Sequence, residues 1–467
     1  MTFTLVEDER GLKDALDALR DAADIAVDTE FMRLNTYHPR VALLQLGAGG
    51  RAWLIDPLAV GEAHGIRELL TDPTRRKVLH SAGEDLAVFR HWLGVVPEPL
   101  IDTQRAAALL GEPFGLGYRA LMEALLGVVL DKGETRSDWL RRPLSAAQLD
   151  YAARDVLPLA SAWSLLARRA RAQGRMDWVL EEGRAVLEAL KERERQGWRR
   201  LKSTGKLSRR SLAALRELYA WREQRARQVD KPRGWVLADK ACIAIAKTLP
   251  GRREQLAELD VLPPAVLRRQ GERLLACVER ARACPEDQLP RASLTPLDES
   301  QRRRLKALRE RMLERAAELA VAPEMLLSGA DLELLVREQA GEPVAAPARW
   351  RGWRAAVIDD LRREAPPAVA APPPAARLVE VFRSPITAGM YLYVDRREGL
   401  ERLPPALRSA FGEPQSVLVL SLHAERRLAR AQAREVLRRI AAEGYYLQMP
   451  PAADKAGEAG RERGFAH

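Results

Sequence analysis

Apolar and polar positions in the first 110 residues follow short repeats that predict an α/β domain. Runs rich in β-branched and apolar residues, separated by polar turns, predict strands, and stretches with apolar residues at helical spacing predict helices. The predicted strands cover residues 24–31, 41–47, 51–56, 77–81 and 100–103, and the predicted helices cover residues 84–93 and 103–110. Because the first three strands have short connections, we expect an antiparallel meander within a mixed sheet that has helices on its faces.

From residue 116 onward the apolar residues recur at helical spacing, and no strand is predicted again until about residue 378. Long helices are expected at residues 145–170 and 176–200, and the second is so highly charged that we expect it to be a connector. Two helical regions of similar size follow at residues 206–290 and 295–363. This part of the chain is therefore predicted to be all-α.

A Pro/Ala-rich stretch marks the last predicted boundary. Residues 365–376 (APPAVAAPPPAA) are expected to form a semi-rigid linker. Beyond it, the segments VEVF, MYLYV and SVLVL predict strands and residues 424–443 predict a helix, so a small α/β domain is expected. We predict a multidomain protein, with an α/β domain at 1–175, a helical connector at 176–205, helical domains at 206–290 and 291–364, the linker at 365–376, a small α/β domain at 377–451 and a disordered tail at 452–467.

Charge is distributed unevenly along the 467 residues. The net charge is +11, yet residues 1–170 hold 24 acidic against 20 basic residues, whereas residues 171–290 hold 27 basic against 17 acidic residues. A local basic excess attracts polyanions through counterion release, which favours a nucleic acid partner. The alternative is an arginine-rich composition without a specific partner, and charge alone does not separate the two.

The composition also excludes several classes of protein. There is no uncharged apolar run of about 18 residues, so no membrane-spanning helix is expected. The acidic start MTFTLVEDER argues against a secretory signal, and three irregularly spaced cysteines do not make a disulfide framework or a zinc site. We therefore expect a cytoplasmic protein.

Four acidic residues and a tyrosine are candidates for catalysis because of their positions in the predicted elements. Asp28 and Glu30 lie two apart on a predicted strand and share one of its faces. Two like charges about 4 Å apart repel by about 4 kcal/mol at an effective dielectric constant near 20, so such a pair is expected to gather a cation or protons. Asp85 begins a predicted helix, where it also fits a capping role, and Tyr151 and Asp155 lie four apart on one helix face, where a solvated pair is equally ordinary.

Taken together, three motifs are more specific than any one of these residues. The segments DTEF, HSAGEDL and YAARD resemble the three exonuclease motifs of the DEDD superfamily, and the tyrosine four positions before the last aspartate matches its tyrosine subclass. With the basic helical region that follows, residues 1–365 resemble the ribonuclease D family. The resemblance implies an RNase H-like fold and two divalent cations, Mg²⁺ or Mn²⁺, held by four carboxylates, with a tyrosine that orients the attacking water; these residues are Asp28, Glu30, Asp85, Asp155 and Tyr151.

Other residues near these motifs are candidate substrate contacts. Phe31 and Met32 follow Glu30 and are expected to pack against the terminal base or ribose, although they also suit a core. His80 is expected to contact a phosphate or the terminal sugar, although a single histidine at a strand end is often structural. Gln45 on the second predicted strand is a further possible contact.

The later regions resemble two known domain families. YAWREQRAR followed by PRGWVLADKACIAIA resembles the HRDC domain, which implies nucleic-acid binding by basic residues around one helix end, namely Arg222, Arg225, Arg227, Lys231 and Arg233. Residues 291–364 are HRDC-like by position and helical character only. Residues 377–451 resemble the YcgL family, which implies a fold but no activity, so help with RNA, a protein partner and an uncoupled domain all stay open.

The resemblance implies a 3′–5′ exoribonuclease, and a monomer is expected because nothing in the sequence demands a dimer. It is expected to trim RNA with a single-stranded 3′ end, such as tRNA precursors, and to release 5′-mononucleotides. Two alternatives are a 3′–5′ DNA exonuclease and an RNA-binding protein that keeps a nuclease-like fold without catalysis.

Overall fold

The computed structural model describes most of the chain, and the chain separates into two compact units, Met1–Glu364 and Ala365–His467. The described residues are 2–61, 64–131, 133–134, 137–291, 295–363, 377–423, 426, 428 and 431–449. The predicted linker at 365–376 and the predicted tail at 452–467 lie outside the described residues.

The first unit contains a mixed six-stranded sheet in the order β1-β4-β3-β2-β5-β6. Its strands are β1 (Phe3–Val6), β2 (Asp24–Met32), β3 (Arg40–Ala48), β4 (Arg51–Ile55), β5 (Arg76–Leu79) and β6 (Leu100–Asp102). β2, β3 and β4 pair antiparallel, which confirms the predicted meander, and the remaining neighbours pair parallel. The meander places β2 inside the sheet, where its two faces are covered.

The helices of the first unit fall into three groups along the chain. Those that belong with the sheet are α1 (Glu9–Ala18), α2 (His64–Thr71), α3 (Gly83–Leu93), α4 (Thr103–Leu109), α5 (Tyr118–Leu126), α6 (Ala146–Ala172) and α7 (Met176–Gln196). The next group is α8 (Arg209–Val229), α9 (Arg233–Val236), α10 (Asp239–Thr248), α11 (Arg253–Glu258) and α12 (Pro264–Ala283). The last group is α13 (Glu299–Glu318), α14 (Pro323–Leu326), α15 (Gly329–Gln339) and α16 (Ala355–Arg363).

Each face of the sheet has its own hydrophobic core. Helices α1, α2 and α3 cover one face, with Leu12, Ile66 and Phe89 among the buried residues. Helices α4–α7 cover the other face, and α13–α16 add Leu308 and Ile358 to that same core. The last helical group therefore shares a core with the sheet domain, and its assignment as a second HRDC-like domain stays a prediction.

Helices α8–α12 form a helical unit around a core of their own, as predicted for this region. This helical unit contacts the sheet domain at the loop that follows β2. The Asp230 carboxylate accepts hydrogen bonds from the backbone N–H groups of Tyr37 and His38, both at 3.0 Å, and the Tyr37 hydroxyl donates to Glu223 at 2.7 Å. The loop that extends from the acidic strand is thus fixed by α8.

Most predicted elements of the first unit are confirmed, with shifts of a few residues at their ends. The sequence analysis missed β1, α1 and α2, which are short and lie outside the motifs. Asp8 caps α1 by accepting a 2.7 Å hydrogen bond from the Gly11 N–H, and β1 pairs with β4 from across the chain. Within the described residues, none of the helices combines the length and apolarity that crossing a membrane requires.

The second unit is a small α/β domain, as predicted. Its antiparallel sheet has the order β10-β8-β7-β9, from β7 (Arg377–Arg383), β8 (Tyr391–Asp395), β9 (Gln415–Leu422) and β10 (Tyr445–Gln448), and its helices are α17 (Pro405–Phe411) and α18 (Ala433–Glu443). The predicted helix at 424–443 begins too early, because α18 begins at Ala433 and the described residues just before it are not helical. β10 was not predicted.

Candidate active site

Strand β2 presents two acids to the sheet face that α6 covers. Asp28 pairs in register with Gln45 of β3, and Glu30 pairs with Leu43. Because side chains alternate along a strand, Asp28 and Glu30 lie on one face and Thr29 on the other. Both acids are half-buried.

Helix α6 brings Tyr151 and Asp155 to this face. The helix begins after Ser145, which forms a capping box with Gln148, so its register is fixed at the N-terminus. A glycine lets the helix approach the sheet closely, since a Cβ atom at Gly47 would lie 3.0 Å from both Cβ and the carbonyl oxygen of Val156. The neighbour of Val156 in the chain is Asp155, so this close approach helps to set the position of its carboxylate.

A proline in α6 gives that helix a second anchor beside the site. Pro158 has no backbone N–H, which leaves the carbonyl of Arg154 without its helical donor. The Tyr118 hydroxyl lies 2.9 Å from that carbonyl oxygen and 2.8 Å from the carbonyl oxygen of Asp155. Tyr118 therefore ties α5 to the turn of α6 that carries the acid.

Three carboxylates converge at this point. One oxygen from each of Asp28, Glu30 and Asp155 lies within 4.8 Å of the others. Burial, followed by repulsion from the neighbouring acids, raises the pKa of Glu30 to about 9 and that of Asp155 to about 7, and holds the pKa of Asp28 well above its ordinary value. A group of acids in this state is stabilised by a cation, and hard carboxylate oxygens suit Mg²⁺ or Mn²⁺.

Asp85 approaches the group from the start of α3. It is buried, and its Oδ1 accepts a 2.6 Å hydrogen bond from the Thr29 hydroxyl. Burial raises the pKa of Asp85 to about 6, against the opposing effect of this hydrogen bond. Asp85 lies outside the three-residue group defined by the 4.8 Å separation, but its charge raises the pKa of both Asp28 and Asp155.

Asp28, Glu30 and Asp155 lie in the wall of a cavity of about 930 Å³. Tyr151, His80, Arg119 and Arg154 also line it, so the structure brings together the predicted tyrosine and histidine with the carboxylates. Burial, and then the charges of Asp155 and Glu30, raise the pKa of the Tyr151 phenol above its ordinary value. The phenol therefore keeps its proton at neutral pH and is able to donate a hydrogen bond.

The Nδ1 atom of His80 is held by a neighbouring threonine. Its Nδ1 lies 3.0 Å from the Thr103 hydroxyl, which itself contacts the Leu79 carbonyl at 3.1 Å. Burial lowers the pKa of His80, and within the described part of the chain its Nε2 atom has no hydrogen-bond partner. Phe31 and Met32 continue β2 beyond Glu30 and are half-buried, and their contact with substrate stays a prediction.

One predicted nucleic-acid contact, Arg222, is buried. Arg222 has only 2% of its surface exposed, because its Nη1 donates to the Leu237 carbonyl at 3.1 Å and to the Asp239 carboxylate at 2.5 Å. Its guanidinium is therefore committed to partners inside the helical unit, and nucleic-acid binding by Arg222 stays a prediction.

The other predicted nucleic-acid contacts have mixed surroundings. Arg227 and Arg233 both lie over the Tyr37 ring, at 5.6 and 5.3 Å from its centre, so they help hold the contact between domains. Lys231 is exposed and lies 6.0 Å from the centre of the Trp235 ring, and Arg225 is half-buried. Nucleic-acid binding by these four residues stays a prediction.

Comparison with known families assigns three parts of the chain. The "3′-5′ exonuclease" family matches residues 3–169, the "HRDC domain" family matches residues 211–278, and the "YcgL domain" family matches residues 379–451. Ribonuclease D of Pseudomonas paraeruginosa is 39% identical over 352 residues, which cover 75% of this chain and 93% of that protein. The chain belongs to the ribonuclease D family.

Further relatives agree with this assignment to the ribonuclease D family. Ribonuclease D of Escherichia coli is 35% identical over 341 residues, covering 72% of this chain and 90% of that protein. The crystal structure of Escherichia coli RNase D, described as an exoribonuclease involved in structured RNA processing, superimposes with a TM-score of 0.69 at 34% identity, covering 79% of this chain and all of that one. The chain is thus a 3′–5′ exoribonuclease, and neither predicted alternative gains support.

Several residues that shape the site were not predicted from the sequence. Thr29, Gly47 and Tyr118 act through contacts with residues far away in the chain. A glycine inside a strand often marks close backbone approach, which is a sequence signal for Gly47. A proline inside a helix leaves a free carbonyl, so Pro158 is a signal for the contact that Tyr118 makes.

Proposed function

We propose that this chain uses two divalent cations, Mg²⁺ or Mn²⁺, to remove 5′-mononucleotides from single-stranded 3′ ends of structured RNAs such as tRNA precursors. The observation that carries the proposal is the convergence of Asp28, Glu30 and Asp155 in one cavity with Tyr151. A cavity of about 930 Å³ is in the size range of small-ligand sites, so a terminal nucleotide fits it.

The donor set fits divalent cations. Asp28, Glu30, Asp85 and Asp155 offer only carboxylate oxygens, which hard cations prefer, and four negative charges balance two divalent ions. When bound, the cations would activate the attacking water and stabilise the charge that develops on the phosphate and the leaving 3′ oxygen. Asp85 would add its carboxylate to the other three from the start of α3.

Tyr151 is proposed to place the attacking water. Its phenol lines the cavity, lies on α6 one turn before Asp155 and keeps its proton at neutral pH, so it acts by donating a hydrogen bond. His80 is proposed to contact the terminal sugar or phosphate, because it lines the same cavity and its Nε2 atom has no hydrogen-bond partner among the described residues. Phe31 and Met32 are proposed to pack against the terminal base.

The basic helical region is proposed to hold the body of the RNA. A second cavity, of about 530 Å³, lies where α7 meets the HRDC domain, and Arg193, Arg200 and Arg233 line it. Guanidinium groups grouped in this way attract phosphates, and their contribution falls as salt is added. We further propose that the chain acts as a monomer in the cytoplasm.

Matched substrates would test this function. Full-length protein is incubated with blunt and 3′-tailed hairpins made of RNA and of DNA, with Mg²⁺ or with chelator, and products are resolved by length. We expect 5′-mononucleotides from tailed RNA in Mg²⁺ only, with cleavage stopping near the stem. Tight RNA binding without products would favour a non-catalytic binding protein, and equal turnover of DNA would favour a general exonuclease.

An Asp155→Asn chain is the matched control. It should bind tailed RNA as the wild type does and release almost no mononucleotide. Turnover within about twofold of the wild type would contradict the assignment of Asp155.

A further inference from the structure

Gln45 is a buried polar residue that neither the fold nor the proposed chemistry has so far explained. Its side chain is completely buried. Neither its amide nitrogen nor its amide oxygen has a hydrogen-bond partner within the part of the chain that the structure describes. The sequence analysis names Gln45 as a possible substrate contact, but the burial of its side chain excludes direct contact with RNA.

An unpaired amide at this position is costly. Buried polar groups in proteins are nearly always hydrogen-bonded, and a group that loses water without gaining a partner destabilises the fold. An apolar side chain of the same length, such as methionine, would fill the space without that penalty. The glutamine is therefore explained better by a partner that it gains than by packing.

The register places the partner directly beside it. Gln45 of β3 is paired with Asp28 of β2, and paired residues in antiparallel strands have side chains on the same face, about 4.5–5.5 Å apart at Cβ. Its neighbours on that face of β3 are Leu43 and Gly47, and Gly47 lies against Val156 of α6. The Gln45 amide therefore shares the narrow space between sheet and helix with the Asp28 carboxylate.

We propose that Gln45 is a positioning residue, whose Nε2–H group donates a hydrogen bond to the Asp28 carboxylate when the cation site is filled. This inference rests on the proposed cation site. A carboxylate that binds a cation through one oxygen is oriented by a donor at the other, and such outer donors change metal affinity by about 10–100-fold. The amide is a donor without a partner in the described part of the chain, and the strand register puts it opposite Asp28.

Replacing the amide with a thioether of similar length keeps the packing of the side chain and removes its hydrogen-bond donor. For Gln45→Met we expect Mn²⁺ binding, measured by calorimetry on the full chain, to weaken by about 10–100-fold. We expect Tm in the presence of chelator to rise by about 2–4 °C, because the unpaired amide is gone. The KM for tailed RNA should stay unchanged while kcat at limiting Mn²⁺ falls.

Leu43→Met is the matched control, because Leu43 lies two positions away on the same strand face and is paired with Glu30. It should leave Mn²⁺ affinity within about twofold of the wild type. A Gln45→Met chain that binds Mn²⁺ as tightly as the wild type, or that melts at a lower temperature, would overturn the proposal. If the wild type itself bound no Mn²⁺, the proposed cation site would be wrong. That result differs from one in which the wild type and Gln45→Met bind Mn²⁺ equally, which would contradict only the role of Gln45.

Discussion

The hydroxyl of Thr29 donates a 2.6 Å hydrogen bond to Asp85, and this bond connects strand β2 to the start of α3 at the active site. Thr29 lies between Asp28 and Glu30 on β2 but faces the side covered by α3. One strand thus carries two acids toward α6 and, through the residue between them, orients the acid that comes from α3. The geometry of the fourth carboxylate depends on a residue that is not an acid.

Removing this hydroxyl should impair the enzyme without unfolding it. Thr29→Val has the same shape and lacks the donor, so Asp85 loses its oriented hydrogen bond. We expect kcat to fall by about tenfold or more and the Mg²⁺ concentration needed for half-maximal activity to rise. Thr29→Ser, which keeps the hydroxyl, should stay close to the wild type, and equal loss in both variants would show that packing, not the hydrogen bond, matters.

Tyr151→Phe should reduce turnover while preserving binding. The phenol lines the cavity and keeps its proton, so its loss removes a donor to the attacking water. We expect kcat to fall about 10²–10⁴-fold with little change in KM for tailed RNA. Single-turnover kinetics at saturating enzyme would measure this, and a variant with wild-type kcat would remove Tyr151 from the mechanism.

Gly47→Ala should disturb the site from within the sheet. The added methyl group would lie 3.0 Å from Val156, partly against its backbone, so α6 has to move away from β3. We expect a loss of about 1–3 kcal/mol in the free energy of unfolding, together with lower activity, because Asp155 follows the helix. Gly234→Ala is the control for stability, since a Cβ there meets no atom within 4 Å, and it should not lower the free energy of unfolding.

Glu182 connects α7 to the last helical group and should make stability pH-dependent. Its carboxylate is almost fully buried, pairs with Arg105 and with Arg354 (2.5 Å), and accepts a 3.1 Å hydrogen bond from the Trp353 indole. Burial acts to raise the pKa of Glu182, but the two arginines outweigh it and hold that pKa below its ordinary value.

A carboxyl group with a lowered pKa stabilises the fold above its unfolded pKa, near 4.5, and loses that contribution as the pH falls through the folded pKa. We therefore expect Glu182→Gln to lower the free energy of unfolding by about 3–5 kcal/mol at pH 7 and by progressively less below about pH 4.5. Unfolding curves of both proteins from pH 7 to pH 3 would measure this. A difference that is constant across the range would mean that the charge of Glu182 is not what stabilises the contact.

The pattern of apolar and polar residues predicts both the meander and the two acids of β2. Strands β2, β3 and β4 are apolar runs between polar turns, and Asp28 and Glu30 interrupt that apolar pattern where burial makes them costly. The family resemblance then supplied the roles of Asp85, Tyr151 and Asp155, which no local pattern distinguishes from a helix cap or a solvated pair.

What the sequence did not predict depends on contacts between distant residues. Periodicity indicates which face of α13 or α16 is buried, but not that Leu308 and Ile358 pack in the core of the sheet domain. The charge of the region near α8 predicts one basic surface, yet Arg222 points inward to Asp239 while Arg227 contacts Tyr37. Composition gives the charge of such a region and leaves the direction of each side chain to the tertiary structure.

The central claim is that Asp28, Glu30, Asp85 and Asp155 jointly hold a pair of divalent cations beside Tyr151. Anomalous diffraction from crystals of the full chain soaked in Mn²⁺ tests it most directly. We expect two peaks, each about 2.0–2.2 Å from carboxylate oxygens of these residues, and none in crystals of the Asp155→Asn variant at the position that Asp155 contacts. A map without peaks between β2 and α6 at saturating Mn²⁺, or with peaks bound by other residues, would contradict the account.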